Sequence, residues 1–157
     1  MAQELKTIKE MWEKYLSAIG ENIKNTAKTY EFWHFCNNKK DANELAVLVK
    51  NEKKKATASL HCLYAIENES LPEVGDYVII TDWNGIAQCV IRVTGINIIP
   101  FREVTEEFAA KEGERDGTLS FWREVHRKFF TLGLKEHNKK FSEDMLVICE
   151  EFEVVYQ

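Results

Sequence analysis

Residues 51–60 read NEKKKATASL, and they hold the first candidates for chemistry. Lys53, Lys54 and Lys55 stop abruptly at Ala56-Thr57-Ala58-Ser59-Leu60, after which the chain turns apolar. A lysine three residues ahead of a threonine, at a helix-to-strand junction, can set an ammonium near a hydroxyl. A free lysine has a pKa of about 10.4 and is a poor base at neutral pH. Burial or a neighbouring cation lowers that value, and the neutral amine can then take a proton from a hydroxyl. Lys53 and Lys55 would supply such neighbouring charge. The plainer alternative is a solvated lysine run ahead of a strand-initiating threonine.

A second candidate is the acidic stretch Glu112-Gly113-Glu114-Arg115-Asp116. Carboxylates on a loop can transfer protons or hold a divalent cation, but the spacing is not that of a calcium loop. The alternative is a helix end followed by a turn in which Asp116 or Thr118 caps the next helix. Trp33, Trp83 and Trp122 could stack on a nucleobase, with Arg123 and Arg127 on phosphate. Trp122 and Phe129-Phe130 are also explained as the apolar face of a helix, and His126 on that face as a core histidine. The chain has no Gly-rich phosphate loop, GxSxG elbow or HExxH pair. Cys36, Cys62, Cys89 and Cys149 form no CxxC pair and sit among apolar neighbours, as small buried hydrophobes do. Neither a metal nor a cofactor is expected.

The elements that must position these residues follow from periodicity. Leu5, Ile8, Met11, Trp12, Tyr15, Leu16 and Ile19 mark an amphipathic helix ended by Gly20. Residues 29–36 (TYEFWHFC) predict a strand. Asp41 with Glu44 resembles a capping box for a helix carrying Leu45, Leu48 and Val49. Residues 57–66 predict a buried strand, and 77–81 and 86–94 a hairpin closed by Asn84-Gly85. A further strand is expected at 97–100. Thr105 caps a helix through Lys111, a second helix covers 118–132, and residues 145–156 form a closing strand. Grouped strands with flanking helices predict an α+β fold, a mostly antiparallel, partly closed barrel with helices over its openings.

At 157 residues, 45% hydrophobic and 30% charged, the chain suits one globular domain. The net charge of -5 excludes a wholly basic nucleic-acid coat but not a local basic patch. No apolar run approaches the roughly 20 residues of a membrane span, and the charged N-terminus has no signal-peptide core. A cytoplasmic protein is expected.

Taken together, these blocks resemble the ASCH-domain family of the PUA-like β-barrel superfamily. The resemblance spans residues 31–156. It is carried by a GxKxxT-type stretch ending in Lys54-Lys55-Ala56-Thr57-Ala58-Ser59-Leu60, and by Leu71-Pro72-Glu73-Val74-Gly75-Asp76-Tyr77. Phe101-Arg102-Glu103-Val104, Phe108-Ala109-Ala110-Lys111-Glu112-Gly113-Glu114, Trp122-Arg123-Glu124-Val125-His126, Phe129-Phe130 and Cys149-Glu150-Glu151-Phe152 follow in order. The resemblance implies an N-terminal helical extension at 1–28 and an ASCH domain at 29–157, with a cleft for RNA or a nucleoside ligand. Some of its small bacterial members are similar to N4-acetylcytidine amidohydrolases. Their lysine, threonine and glutamate fall on Lys54, Thr57 and Glu112, with Thr57 attacking, Lys54 activating it and Glu112 serving the leaving amine. Trp33, Lys53, Ser59, Trp122 and Arg123 are the expected ligand contacts. Two positions depart from the pattern: Glu52 stands where the family has glycine, and Ser59 where it often has a basic residue. The alternatives are a non-catalytic RNA-binding module and a metal-dependent ribonuclease.

Overall fold

Asn84-Gly85 closes a hairpin, and the sheet is built outward from it. In the computed structural model, which describes all residues Met1–Gln157, strand β3 (Tyr77–Thr81) pairs antiparallel with β4 (Ala87–Pro100) across that turn. Gly85 takes φ +78, the left-handed conformation such a turn requires. Before the hairpin come helix α1 (Ala2–Ala18), β1 (Tyr30–Trp33), α2 (Lys39–Lys50), β2 (Ala56–Leu60) and α3 (His61–Glu67). After it come a 3-10 turn (Phe101–Glu103), α4 (Glu106–Glu112), α5 (Leu119–Lys135) and β5 (Leu146–Tyr156).

The five strands lie in the order β1-β3-β4-β5-β2. β1 runs parallel to β3, while β3–β4 and β5–β2 are antiparallel, so the sheet is mixed. β1 and β2 each have one neighbour, and the sheet is open rather than the closed barrel expected. Two features reduce the strand supply. The pieces foreseen at 86–94 and 97–100 are one continuous strand, and residues 61–66 are helical rather than the second half of a strand. The α+β class stands.

The chain forms two compact units. The first comprises Met1–Lys53, Val74–Thr94 and Phe152–Gln157. In it, α1 lays Ile8, Trp12, Tyr15 and Leu16 on Ile79 and Val90, the face its three-and-four spacing foretold. Trp12 sits among Tyr15, Tyr30 and Tyr77, with ring centroids 4.8 to 5.6 Å apart. α2 buries Ala42, Ala46 and Val49, the last two among Phe35, Val78, Ile80 and Phe152. Its N-cap is Asn38, whose side chain accepts from the Asp41 amide, so the helix starts earlier than the Asp41–Glu44 pattern implies.

The second unit comprises Lys54–Glu73 and Gly95–Glu151. Ala56, Leu60, Val147 and Cys149 form the strand side of its core, with Phe108 and Ala109 of α4 and Trp122, Phe130 and Leu134 of α5 against them. Thr105 and Thr118 cap α4 and α5 by accepting from the amides of Phe108 and Phe121. Trp122, His126, Phe130 and Leu134 recur at every fourth residue along the buried stripe of α5, leaving Phe129 exposed.

Removing the Trp12 ring leaves a cavity between α1 and the sheet. Trp12→Ala is expected to cost about 3–5 kcal/mol, measured as a fall in unfolding free energy in urea.

Candidate functional site

The site begins with the end of α2. The Glu52 amide bonds to the Val49 carbonyl at 2.9 Å and the Lys53 amide to the Leu48 carbonyl at 2.9 Å, the paired bonds of a Schellman cap. Such a cap needs a left-handed residue, and Glu52 supplies it with φ +56. Glycine fills that conformation without a Cβ penalty, so Glu52 carries a strain that glycine would not. The cap reverses the chain and delivers Lys54. Immediately beyond, the Lys55 amide donates to the Lys111 carbonyl at 2.8 Å. That bond ties the backbone after Lys54 to the backbone before Glu112.

Lys54 is 1% exposed and is among the largest fully buried side chains in the protein. Its ammonium lies 3.3 Å from Glu112 Oε2 and 2.8 Å from Glu114 Oε1. α4 ends at Glu112, and Gly113, left-handed at φ +63, turns the chain so that Glu114 reaches the same ammonium. His126 enters from α5. Its Nδ1 is 2.9 Å from the Trp122 carbonyl, so Nδ1 carries the hydrogen, and its Nε2 lies 3.4 Å from Glu112 Oε2. The His126 ring stacks on Trp122 at 4.2 Å.

Charge in this cluster is the reverse of what a lysine base needs. Burial pulls the Lys54 ammonium down, but Glu112 and then Glu114 outweigh it and hold its pKa above the ordinary 10.5. Burial likewise pushes the Glu112 carboxyl up, but Lys54 and then His126 overcome it and bring it down to about 2. The Trp122 indole N–H also favours ionised Glu112, without reaching full hydrogen-bond geometry; Trp122 Nε1 and Glu112 Oε1 are both buried without a hydrogen-bond partner. At neutral pH Lys54 is a cation and Glu112 an anion.

Thr57 belongs to the strand ladder. It pairs with Glu150, and Ser59 pairs with Ile148, so these residues share one face of β2–β5. Ala56, Ala58 and Leu60 alternate onto the other face, toward the apolar core. The ladder starts at Ala56, two residues past Lys54, so alternation assigns Lys54 to neither face. The structure thus brings Lys54 and Glu112 together and places Thr57 on the second rung, opposite Glu150.

With this geometry in view, the sequence model of the ASCH domain matches residues 31–156. The chain belongs to the ASCH domain family. The crystal structure of an ASCH domain from Lactobacillus crispatus JV V101 superposes with a TM-score of 0.90 at 34% identity, covering 97% of this chain and 96% of that one. A protein from Enterococcus faecalis V583 gives 0.86 at 34% identity, over 97% and 90% of the two chains. A hypothetical protein at 20% identity, TM-score 0.52, covering 80% of this chain and 97% of its own, shares the fold alone. No curated protein matches the chain, and no helix is long and apolar enough to cross a membrane.

The other residues singled out from the ASCH sequence are spread over the fold. Trp33 sits edge-on to Phe35 at 5.0 Å, beside the core of the first unit. Lys53 is exposed on the helix cap. The Ser59 hydroxyl is 2.9 Å from the Tyr64 hydroxyl of α3. Trp122 is 3% exposed, with one ring face covered by His126, so it offers no open platform for a base. Arg123 donates to the Arg102 carbonyl at 3.2 Å, and Arg127 to Glu143 at 2.8 Å. Asp116 accepts from the Thr118 amide and hydroxyl and serves the turn. No group of three His, Cys, Asp or Glu side chains is placed to hold a metal ion. Glu114 and His126 were visible as residues, but only their convergence on Lys54 and Glu112 makes them part of the site.

The ionisation pattern fixes a pH response. Glu112 contributes stability in full above its ordinary 4.5, and loses it as pH falls through about 2. Lys54 contributes in full below 10.5 and loses it as pH rises through its raised value. Urea titrations across pH should show losses from this cluster only outside that span. Lys54→Met strands two carboxylates and is expected to cost about 3–5 kcal/mol, with part regained in the double variant Lys54→Met/Glu112→Gln. Glu52→Gly should raise stability by up to about 1 kcal/mol, seen as a higher urea midpoint.

Proposed function

We propose that this ASCH domain binds a nucleoside or RNA ligand and removes the acyl group from an N4-acylated cytidine, with Thr57, Lys54 and Glu112 as its catalytic set. The observation that carries this is the meeting of Lys54 and Glu112, 58 residues apart in sequence, as a buried ion pair. The resemblance to small amidohydrolases supplies the substrate class, and the half-buried Thr57 hydroxyl is the nucleophile. The charges set the roles. Thr57 Oγ attacks the acetamide carbonyl carbon, and the C–N bond to the base breaks. Lys54, held as an ammonium, donates the proton that the leaving amine needs. Glu112 keeps Lys54 charged and aimed. Water then hydrolyses the threonine ester to release acetate.

The test is incubation of the pure protein with N4-acetylcytidine, following cytidine and acetate by chromatography. Thr57→Ala and Lys54→Met should each lower kcat by about 100-fold or more. Absence of turnover in the wild type, or equal turnover in the variants, overturns the reading. One observation favours a binding module without catalysis: Lys54 and Glu112 are each 1% exposed, and Glu114 covers the ammonium. Under that alternative, short RNAs bind without turnover, and affinity falls as salt rises.

A further inference from the structure

Two exposed rings of the first unit are left over from its packing. Trp83, at the hairpin tip, is 38% exposed, and His34, just past β1, is exposed beside it. Their ring centroids lie 5.1 Å apart, with the planes tilted by 50°. Trp33 and Phe35, the chain neighbours of His34, pack into the core that α2 helps bury, but neither His34 nor Trp83 joins a core cluster. Burial therefore does not account for the pair. Both residues are nonetheless held in place. The Trp83 amide donates to Asn43 Oδ1 of α2 at 3.0 Å, and Asp82 Oδ1 accepts from the Asn84 and Ile86 amides at 2.9 and 3.0 Å, which fixes the tip. His34 Nδ1 donates to the Phe35 carbonyl at 3.0 Å. Rings on a fixed backbone can take a flat ligand without paying to order that backbone.

The charge beside the rings is positive. Lys39 and Lys40 precede Asn43 by four and three residues, so they stand one helical turn from the side chain that holds Trp83. Both are exposed, and neither makes an ion pair. Asp41 accepts from the Asn38 side chain and Asp82 serves the tip amides, which leaves Glu44 as the free acid of that stretch against two lysines. Helix stability does not call for the lysines, since cations are disfavoured in a first turn. A planar ring joined to an anion matches this pairing: a nucleobase stacks on an aromatic ring while its phosphate meets an ammonium. An apolar peptide would leave the lysines unused, and a free anion the rings.

We propose that Trp83 and His34, with Lys39 and Lys40, form a stacking site for single-stranded nucleic acid. A base stacks on Trp83, His34 borders it, and the flanking phosphates take the two lysines. Stacking reads no sequence, because every base has a π-face. The site therefore grips a strand rather than a particular base, and it refuses a duplex, whose bases are already stacked on one another. RNA and DNA share this chemistry. The site lies wholly within the first unit, so it stands whether or not acyl transfer occurs at Thr57.

The experiment titrates end-labelled oligo(U), oligo(dT) and an RNA duplex, each about ten nucleotides long, by fluorescence anisotropy at several salt concentrations. It compares wild type, Trp83→Ala, Trp83→Phe and the double variant Lys39→Ala/Lys40→Ala, with the Tm of each protein. Trp83→Ala should weaken single-strand binding about tenfold, and Trp83→Phe, which keeps a ring, by less. The lysine variant should flatten the slope of log affinity against log salt by about 1.4, from two phosphate contacts at roughly 0.7 each. Binding of one oligomer and not the other names the strand as RNA or DNA. The site is overturned if wild type binds neither, if the folded Trp83→Ala protein keeps its Kd, or if the duplex binds as tightly as the single strands. An unchanged salt slope in the lysine variant overturns it as well, whether or not Trp83→Ala folds. None of these outcomes touches the amidohydrolase reading, whose substrate is assayed as a free nucleoside.

Discussion

A buried ammonium must be neutralised, and much of the local structure is arranged to meet that demand at Lys54. One uncompensated charge at 1% exposure would cost several kcal/mol. Two carboxylates answer it from α4 and from the turn after it, and the Lys55–Lys111 backbone bond keeps both sides of the pairing in register. One cation between two anions leaves an excess of negative charge. His126 stands at that point, with Nδ1 already committed to the Trp122 carbonyl and Nε2 facing Glu112. The capped end of α4 is therefore part of the electrostatics, because it decides where Glu112 and Glu114 can be.

The β2–β5 ladder does a different job on each side. One face is ordinary core, built from Ala56, Leu60, Val147 and Cys149 under α4 and α5. Burial there pushes the Cys149 thiol up to about 12 and keeps it a neutral packing group. The other face carries Thr57, Ser59 and Glu150 together with the buried Ile148. A strand can present two chemistries this way because its side chains alternate, and the apolar side anchors the positions of the polar side.

Much of the fold was legible because it is encoded locally. Asn84-Gly85, Thr105, Thr118 and the stripe of α1 announce a turn, two caps and a helix through short-range chemistry. The failures come where local signals are degenerate. The stretch HCLYAIE is apolar at a length that fits a strand or a short helix, and it folds as α3. The strand expected at 57–66 is thereby shortened to β2. The ionisation of Lys54 was illegible for another reason. Its neighbours in sequence are lysines, which argue for a lowered pKa, whereas its neighbours in space are Glu112 and Glu114, which raise it.

The charge on Lys54 has a consequence for chemical selectivity. A neutral amine beside a threonine ester would intercept the acyl group and form a stable amide, ending turnover by self-modification. An ammonium has no lone pair with which to do so. By holding the proton on Lys54 at rest and favouring its prompt return once the amine has left, Glu112 and Glu114 would shorten the interval in which this lysine could trap the acyl group, and leave water as the acceptor.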